Sequence, residues 1–245
     1  MSAQPAPRQA SPLAARAAAL PWNAIEHDLD EHGCAVVTAL LTPSECRELA
    51  SLYDEEAGFR SRVVMARHGF GSGEYRYFAY PLPAAVAALR ASLYTPLARI
   101  ANRWNERLGA APRFPERHEQ FLARCRAAGQ ARPTPLLLDY GPGDYNCLHQ
   151  DLYGEQAFPL QATVLLSAPG EDFTGGELVL TEQRPRRQSR AEVVPLAQGD
   201  AVIFATARRP VAGARGTYRV NMRHGVSRVR AGSRRTLGII FHDAL

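Results

Sequence analysis

The 245-residue chain contains no lysine: all of its basic residues are arginines. Coding bias is a plainer reading of that than any arginine-specific purpose, and the placement of the arginines is more informative than their number. Cysteine is scarce as well. Cys34, Cys46, Cys125 and Cys147 stand at irregular spacings with no CxxC pair, which argues against a disulfide framework and against a thiolate zinc knuckle. No apolar run approaches the roughly 20 residues needed to cross a bilayer. The opening MSAQPAPRQASPLAARAAALPW lacks an uninterrupted apolar core and a clear cleavage site, so a cytoplasmic protein without membrane association is expected. Self-similarity at the periods of solenoids and propellers is also missing.

What is present suffices for one substantial core, since 46% of the residues are hydrophobic. Residues 1–20, rich in Ala, Pro and Gln, read as a disordered or weakly helical extension, and 21–245 as a single domain. Within it, helical support is expected over about 21–133 and a β-rich core over about 134–245. The stretch GCAVVTALLTPSECRELASLYD (33–54) reads as a strand followed by a helix, with Thr42 as the cap and Pro43 in the first turn. A second helical zone, about 84–128, is interrupted near GAAPRFPER. From 134 onward TPLLLDY, LQATVLLS, GELVLTE, AEVVPL, DAVIFAT, YRVNMRHGVSRV and RTLGIIFHD are short β-like runs separated by turns, the pattern of a sandwich or barrel.

Charge is unevenly spread. Residues 181–235 hold thirteen Arg against Glu182, Glu192 and Asp200, a net +10, while the whole chain is +5 and the remainder therefore −5. A basic face of this kind suits a polyanionic partner, although a solvated Arg-rich surface is the commoner explanation for such a run.

The stretch CLHQDLYG places His149 and Asp151 two positions apart after the turn Gly141-Pro142-Gly143-Asp144. Side chains at i and i+2 of a strand share a face, and two imidazoles with one carboxylate suit Fe(II) while leaving positions open. A lone HxD is common, so a third ligand must come from elsewhere. After Asp151 only His224 and His242 remain, and His224, inside a strand-like run, is the better candidate. Ten residues beyond it Arg234 is placed to bind a carboxylate, with Arg235 pointing the opposite way. Two other readings stay open here: a metal-free β-domain in which HQD is a turn, and a zinc hydrolase with the same three ligands, which leaves Arg234 and Tyr140 without a role. Upstream, HGFGSGEYRYFAY combines three glycines with Tyr75, Tyr77 and Tyr80, a candidate substrate lid or else an aromatic contact between core and helices.

The ordered set His149, Asp151, His224 and Arg234, on strands bounded by TGGELVL and PLAQGDAVIF, resembles the Fe(II)/2-oxoglutarate-dependent dioxygenases. The resemblance covers about 134–245, and EHGCAVVTALLTPSECREL looks like the usual lead-in strand and helix. It implies a mainly β fold, a double-stranded β-helix of jelly-roll or cupin type buttressed by N-terminal helices. It further implies iron held by His149, Asp151 and His224, and 2-oxoglutarate held through its distal carboxylate by Arg234, or by Arg235 as the alternative, and Tyr140. With O2, such an enzyme converts 2-oxoglutarate to succinate and carbon dioxide and oxidises a C–H bond.

QDLYGEQAFPLQATVLLSAPGEDFTGGELVLTEQRPR and RHGVSRVRAGSRRTLGIIFHDA are similar to a bacterial subfamily labelled as nucleic-acid oxygenases, which implies alkylated DNA as the partner and demethylation as the outcome. One departure is that AlkB-type enzymes place the anchoring Arg farther from the distal His, with a second Arg six residues later, where this chain has Ile240. The shorter spacing is closer to prolyl-hydroxylase-like members, for which the substrate is a peptide or small molecule.

Overall fold

The computed structural model describes residues 12–111, 114–152, 154–214 and 216–245. The described residues hold five α-helices, interspersed with the first four strands: α1 (Pro12–Ala18), α2 (Trp22–His32), α3 (Pro43–Ser51), α4 (Ala84–Leu108) and α5 (His118–Ala127). The strands are β1 (Cys34–Val37), β2 (Phe59–Val64), β3 (Gly71–Ser72), β4 (Glu74–Phe78), β5 (Leu136–Tyr140), β6 (Tyr145–His149), β7 (Leu160–Leu165) and β8 (Phe173–Gly175). They continue with β9 (Leu178–Gln183), β10 (Arg190–Val194), β11 (Ala201–Ala205), β12 (Arg208–Gly213), β13 (Gly216–Val226), β14 (Val229–Gly232) and β15 (Arg234–Ile240).

Local chemistry sets several of these boundaries. Thr42 accepts from the Glu45 amide while Glu45 accepts from the Thr42 amide, a capping box that starts α3 with Pro43 in its first turn. Along α4 the buried positions Val86, Leu89, Leu93, Leu97, Ile100, Ala101 and Trp104 recur every three or four residues, an apolar face that Arg90, Tyr94 and Ala98, also buried, widen.

One sheet runs β1-β11-β7-β15-β5-β4-β2 and the other β10-β9-β13-β6-β3, with β12 also joined to β13; β8 and β14 pair separately. The pleat of β15 divides its side chains between two environments. Leu237 and Ile239 enter the core that includes the α4 residues, whereas Arg234, Thr236, Gly238 and Ile240 line a cavity between the sheets. This jelly-roll arrangement is the expected fold class.

Two boundaries differ from the sequence-based expectation. The extension is expected to be disordered or weakly helical through residue 20; Pro12–Ala18 is a helix tied to the domain, because Leu13 and Ala17 are buried and Arg16 bonds both Glu45 and the Leu40 carbonyl. Residues 1–11 lie outside the described residues. The region before 134 is more than a helical buttress: β1, β4 and β2 supply three of the seven strands of the larger sheet.

Candidate metal centre and cosubstrate pocket

The cavity between the sheets has a volume of about 350 Å³. His149 ends β6 and faces His224 of β13 directly across the ladder, their rings 4.1 Å apart. Asp151, two residues past His149, brings Oδ1 to 3.5 Å from His149 Nε2 and Oδ2 to 3.2 Å from His224 Nε2. Ligand atoms of the three residues all lie within 4.8 Å of one another. His149 Nδ1 is 2.8 Å from the Cys147 carbonyl; donation of its proton there leaves the Nε2 lone pair toward the cluster. Burial, then the neighbouring His224, hold the His149 imidazole below its usual pKa against the opposing pull of Asp151. It is therefore neutral at pH 7, as a metal ligand must be.

Arg234 begins β15 at the far end of the cavity, paired with Tyr140 of β5. The side chain is 2% exposed, and its Nε and Nη1 have no hydrogen-bond partner. Its guanidinium lies 5.6 Å from the Tyr140 ring centre and 5.8 Å from that of Phe173. Burial pushes it below its usual pKa, with Tyr140 and Glu177 opposing. A buried cation without an anion costs free energy that a carboxylate entering the cavity offsets. The Tyr140 hydroxyl accepts from Asn146 Nδ2 at 3.3 Å. Room for Arg234 comes from Gly176, at φ +66°, where a Cβ would sit 2.8 Å from Arg234 Cδ.

Arg235 faces away, with bonds of 2.8 and 2.9 Å to Asp54 and 2.9 Å to Asp139. Tyr75 and Tyr77, alternate residues of β4, both line the cavity, with rings 5.3 Å apart at 83°. Tyr80 does not join them. Its hydroxyl lies 2.9 Å from Asp243 and accepts from Arg90 at 3.0 Å, outside the cavity lining, so the expected tyrosine trio reduces to a pair. Two of the three glycines there serve close packing: a Cβ on Gly71 would collide with the Tyr145 carbonyl where β3 meets β6, and one on Gly73 would sit 2.8 Å from the Tyr140 ring.

The expected basic face is also partly internal. Arg209 is 1% exposed and shares Glu182 with Arg184, while Arg234 and Arg235 are taken up as described. Among the polar residues of the cavity that escaped sequence reasoning are Asn146 and Gln161. The second had a visible signal, a lone amide inside the apolar run FPLQATVLL.

Fold and site together define an oxygenase of the double-stranded β-helix type. The chain belongs to the family described as an oxygenase catalysing oxidative methylation of damaged DNA, which it matches over residues 73–244. Uncharacterized proteins from two strains of Mycobacterium tuberculosis are 48% identical to it over 167 residues, 68% of this chain and 72% of theirs. Among solved structures its fold is similar to that of a Pseudomonas putida prolyl-4-hydroxylase, with TM-score 0.52 and 16% identity over 89% of this chain and 96% of that one. A Trichoplax adhaerens prolyl hydroxylase in complex with a hypoxia inducible factor peptide gives TM-score 0.56 and 16% identity over 91% and 89%. A Burkholderia pseudomallei oxidoreductase of the 2OG-Fe(II) oxygenase family gives TM-score 0.52 and 16% identity over 92% and 93%.

Proposed function

We propose that this chain is an Fe(II)- and 2-oxoglutarate-dependent oxygenase acting on alkylated nucleic acid. The observation that carries the first half is the sharing of one cavity by a His149, Asp151 and His224 cluster and by Arg234, a buried guanidinium with no ion pair among the described residues. The donor set suits Fe(II). The orphaned Nε and Nη1 suit a carboxylate delivered by the cosubstrate. The zinc-hydrolase reading leaves that cation unexplained.

Fe(II) with 2-oxoglutarate and O2 supplies the oxidation, in which one oxygen atom goes to succinate and one to a substrate C–H bond as carbon dioxide leaves. The chain's own residues do the placing. His149, Asp151 and His224 hold the metal; Arg234 and Tyr140 hold the distal carboxylate; Tyr75 and Tyr77 wall the side where a substrate enters. An N-methyl group hydroxylated there breaks down to the amine and formaldehyde.

The nucleic-acid half rests on the family description and on where the unpaired arginines lie. On β9, Leu180 sits beside His224 and Gln183 beside Asn221, three residues or roughly 10 Å further along. There β9 turns over through Arg186 and Arg187, both exposed, and Arg208 of β12 is paired with the same Asn221. Arg186, Arg187 and Arg208 make no ion pair among the described residues, so phosphates can engage them near the metal end of the barrel.

The test is formaldehyde release from N-methylated single- and double-stranded oligonucleotides with Fe(II) and 2-oxoglutarate, beside a panel of peptides and free amino acids. Turnover that falls steeply with salt and vanishes in His149→Ala, Asp151→Ala and His224→Ala is expected. The ten-residue step from His224 to Arg234 and the prolyl-hydroxylase folds favour a second reading, hydroxylation of a peptide or small molecule. Hydroxylation of a panel member with no action on DNA at low salt selects it.

A further inference from the structure

Apart from the metal cluster and side chains such as Gln150, Thr163 and Thr236, the polar groups of the cavity stand at two ends. Arg234, Tyr140 and Asn146 occupy one. Gln161 occupies the other: on β7 it is paired with Ile240, six residues along β15 from Arg234, a separation on the order of 20 Å. Its amide therefore does not reach the carboxylate anchor, and instead its Nε2 lies 3.2 Å from His224 Nε2.

Gln161 is 5% exposed, and its Oε1 has no hydrogen-bond partner although it lines the cavity. A half-turn of the amide exchanges oxygen and nitrogen, and either orientation leaves one end unpaired. The end toward His224 is no more settled, because an imidazole nitrogen that gives its lone pair to a metal accepts no hydrogen bond. The setting offers no substitute: Gln161 is flanked in the sheet by Ile240 and Phe204, and the Phe204 ring is 4.7 Å from His224. A buried amide oxygen left unpaired is unfavourable unless a ligand completes it.

We propose that Gln161 is a specificity-determining residue that hydrogen-bonds a substrate group carrying a donor and an acceptor side by side, the edge of a nucleobase brought to the metal. This rests on the nucleic-acid reading above. A primary amide pairs two-pronged with such an edge, and an enzyme acting on a base must turn it out of the stack and read it in a pocket. Tyr75 and Tyr77 provide aromatic surface in the same cavity.

The experiment compares wild type, Gln161→Leu and Gln161→Glu on oligonucleotides carrying one N-methylated adenine or one N-methylated cytosine, reading kcat/KM for each. A second readout is fluorescence anisotropy of the same oligonucleotides on Zn(II)-loaded protein, which does not turn over. The wild type is expected to favour one base, and Gln161→Leu to lose about tenfold or more on it and to level the two, as loss of a two-pronged pair implies. Gln161→Glu replaces the donor end by a second acceptor and is expected to move the preference toward the base whose edge supplies donors. A merely structural role lowers both bases alike in both assays, and an unchanged ratio in the variants, with the wild type active, overturns the Gln161 assignment alone. No turnover of any oligonucleotide by the wild type overturns the nucleic-acid reading and this assignment with it. Should Gln161→Leu fail to fold, judged by its melting temperature, the Glu variant carries the same comparison.

Discussion

Two buried arginines in this molecule have opposite surroundings. Arg90, on α4, is 1% exposed and fully engaged: it donates to the Ile240 and His242 carbonyls and the Tyr80 hydroxyl, and pairs with buried Asp243 at 2.8 Å. Arg234 is 2% exposed, yet two of its nitrogens have nothing to bond. Equal burial thus separates a cation that ties the C-terminal segment to the helical layer from one that awaits an anion. The contrast lies in the partners, and burial alone does not reveal it.

The most severe break of this comparison is Arg90→Met. It strands the Asp243 carboxylate in the interior and is expected to cost about 3–5 kcal/mol of stability, read as a lower urea midpoint. A change below about 1 kcal/mol would show the pair to be solvated in solution.

Arg234→Met is expected to behave inversely. Without ligand its stability equals or exceeds that of the wild type, since an unpaired buried charge is gone. Its affinity for 2-oxoglutarate, titrated anaerobically with Fe(II), falls by about 2–5 kcal/mol. Loss of stability together with unchanged affinity would reverse the roles assigned to the two arginines.

Acid sharpens the comparison on the Arg90 side. Burial first, then Arg90, push His118 down to about 3 and His242 down to about 4. In the unfolded chain both titrate near about 6.5. From pH 6.5 to about 4 the unfolded state therefore binds more protons than the folded one, and stability falls as pH falls. Urea midpoints from pH 7.5 to 4.5 check the sign, and His242→Gln is expected to flatten the slope.

The smallest effect is expected from Arg235→Ala. Of its carboxylate partners Asp54 is largely exposed and Asp139 stays within reach of solvent, so the loss in stability is about 1 kcal/mol and 2-oxoglutarate affinity is unaltered. Weaker cosubstrate binding here than in Arg234→Met would place the inward face of β15 one residue off.

The sequence was most readable where local rules decide. Alternation along β15 separates Arg234 from Arg235, and alternation on β4 puts Tyr75 and Tyr77 on one face. Tyr80 follows the end of that strand at Phe78, and its bond to Asp243, 163 positions away, sets its place. Arg208 and Arg209 are equally basic in sequence, but Arg208 is exposed while Arg209 is buried against Glu182. Pro12–Ala18 offered only Leu13 and Ala17 as an apolar stripe, too short to hold a helix without the burial that packing provides.

By itself, then, the sequence determined the alternation of the strands, the order HxD, His and Arg along them, and with it the kind of cavity the chain can build, because side-chain direction in a strand depends only on position parity. The tertiary structure alone decided that His149 and His224 meet across a ladder, that two nitrogens of Arg234 find no hydrogen-bond partner while Arg90 finds five, and that Gln161 comes to rest beside His224. Those outcomes depend on strand order and on pairings between distant residues. Hydrophobic burial sets them for the whole chain at once, and no short window of sequence contains them.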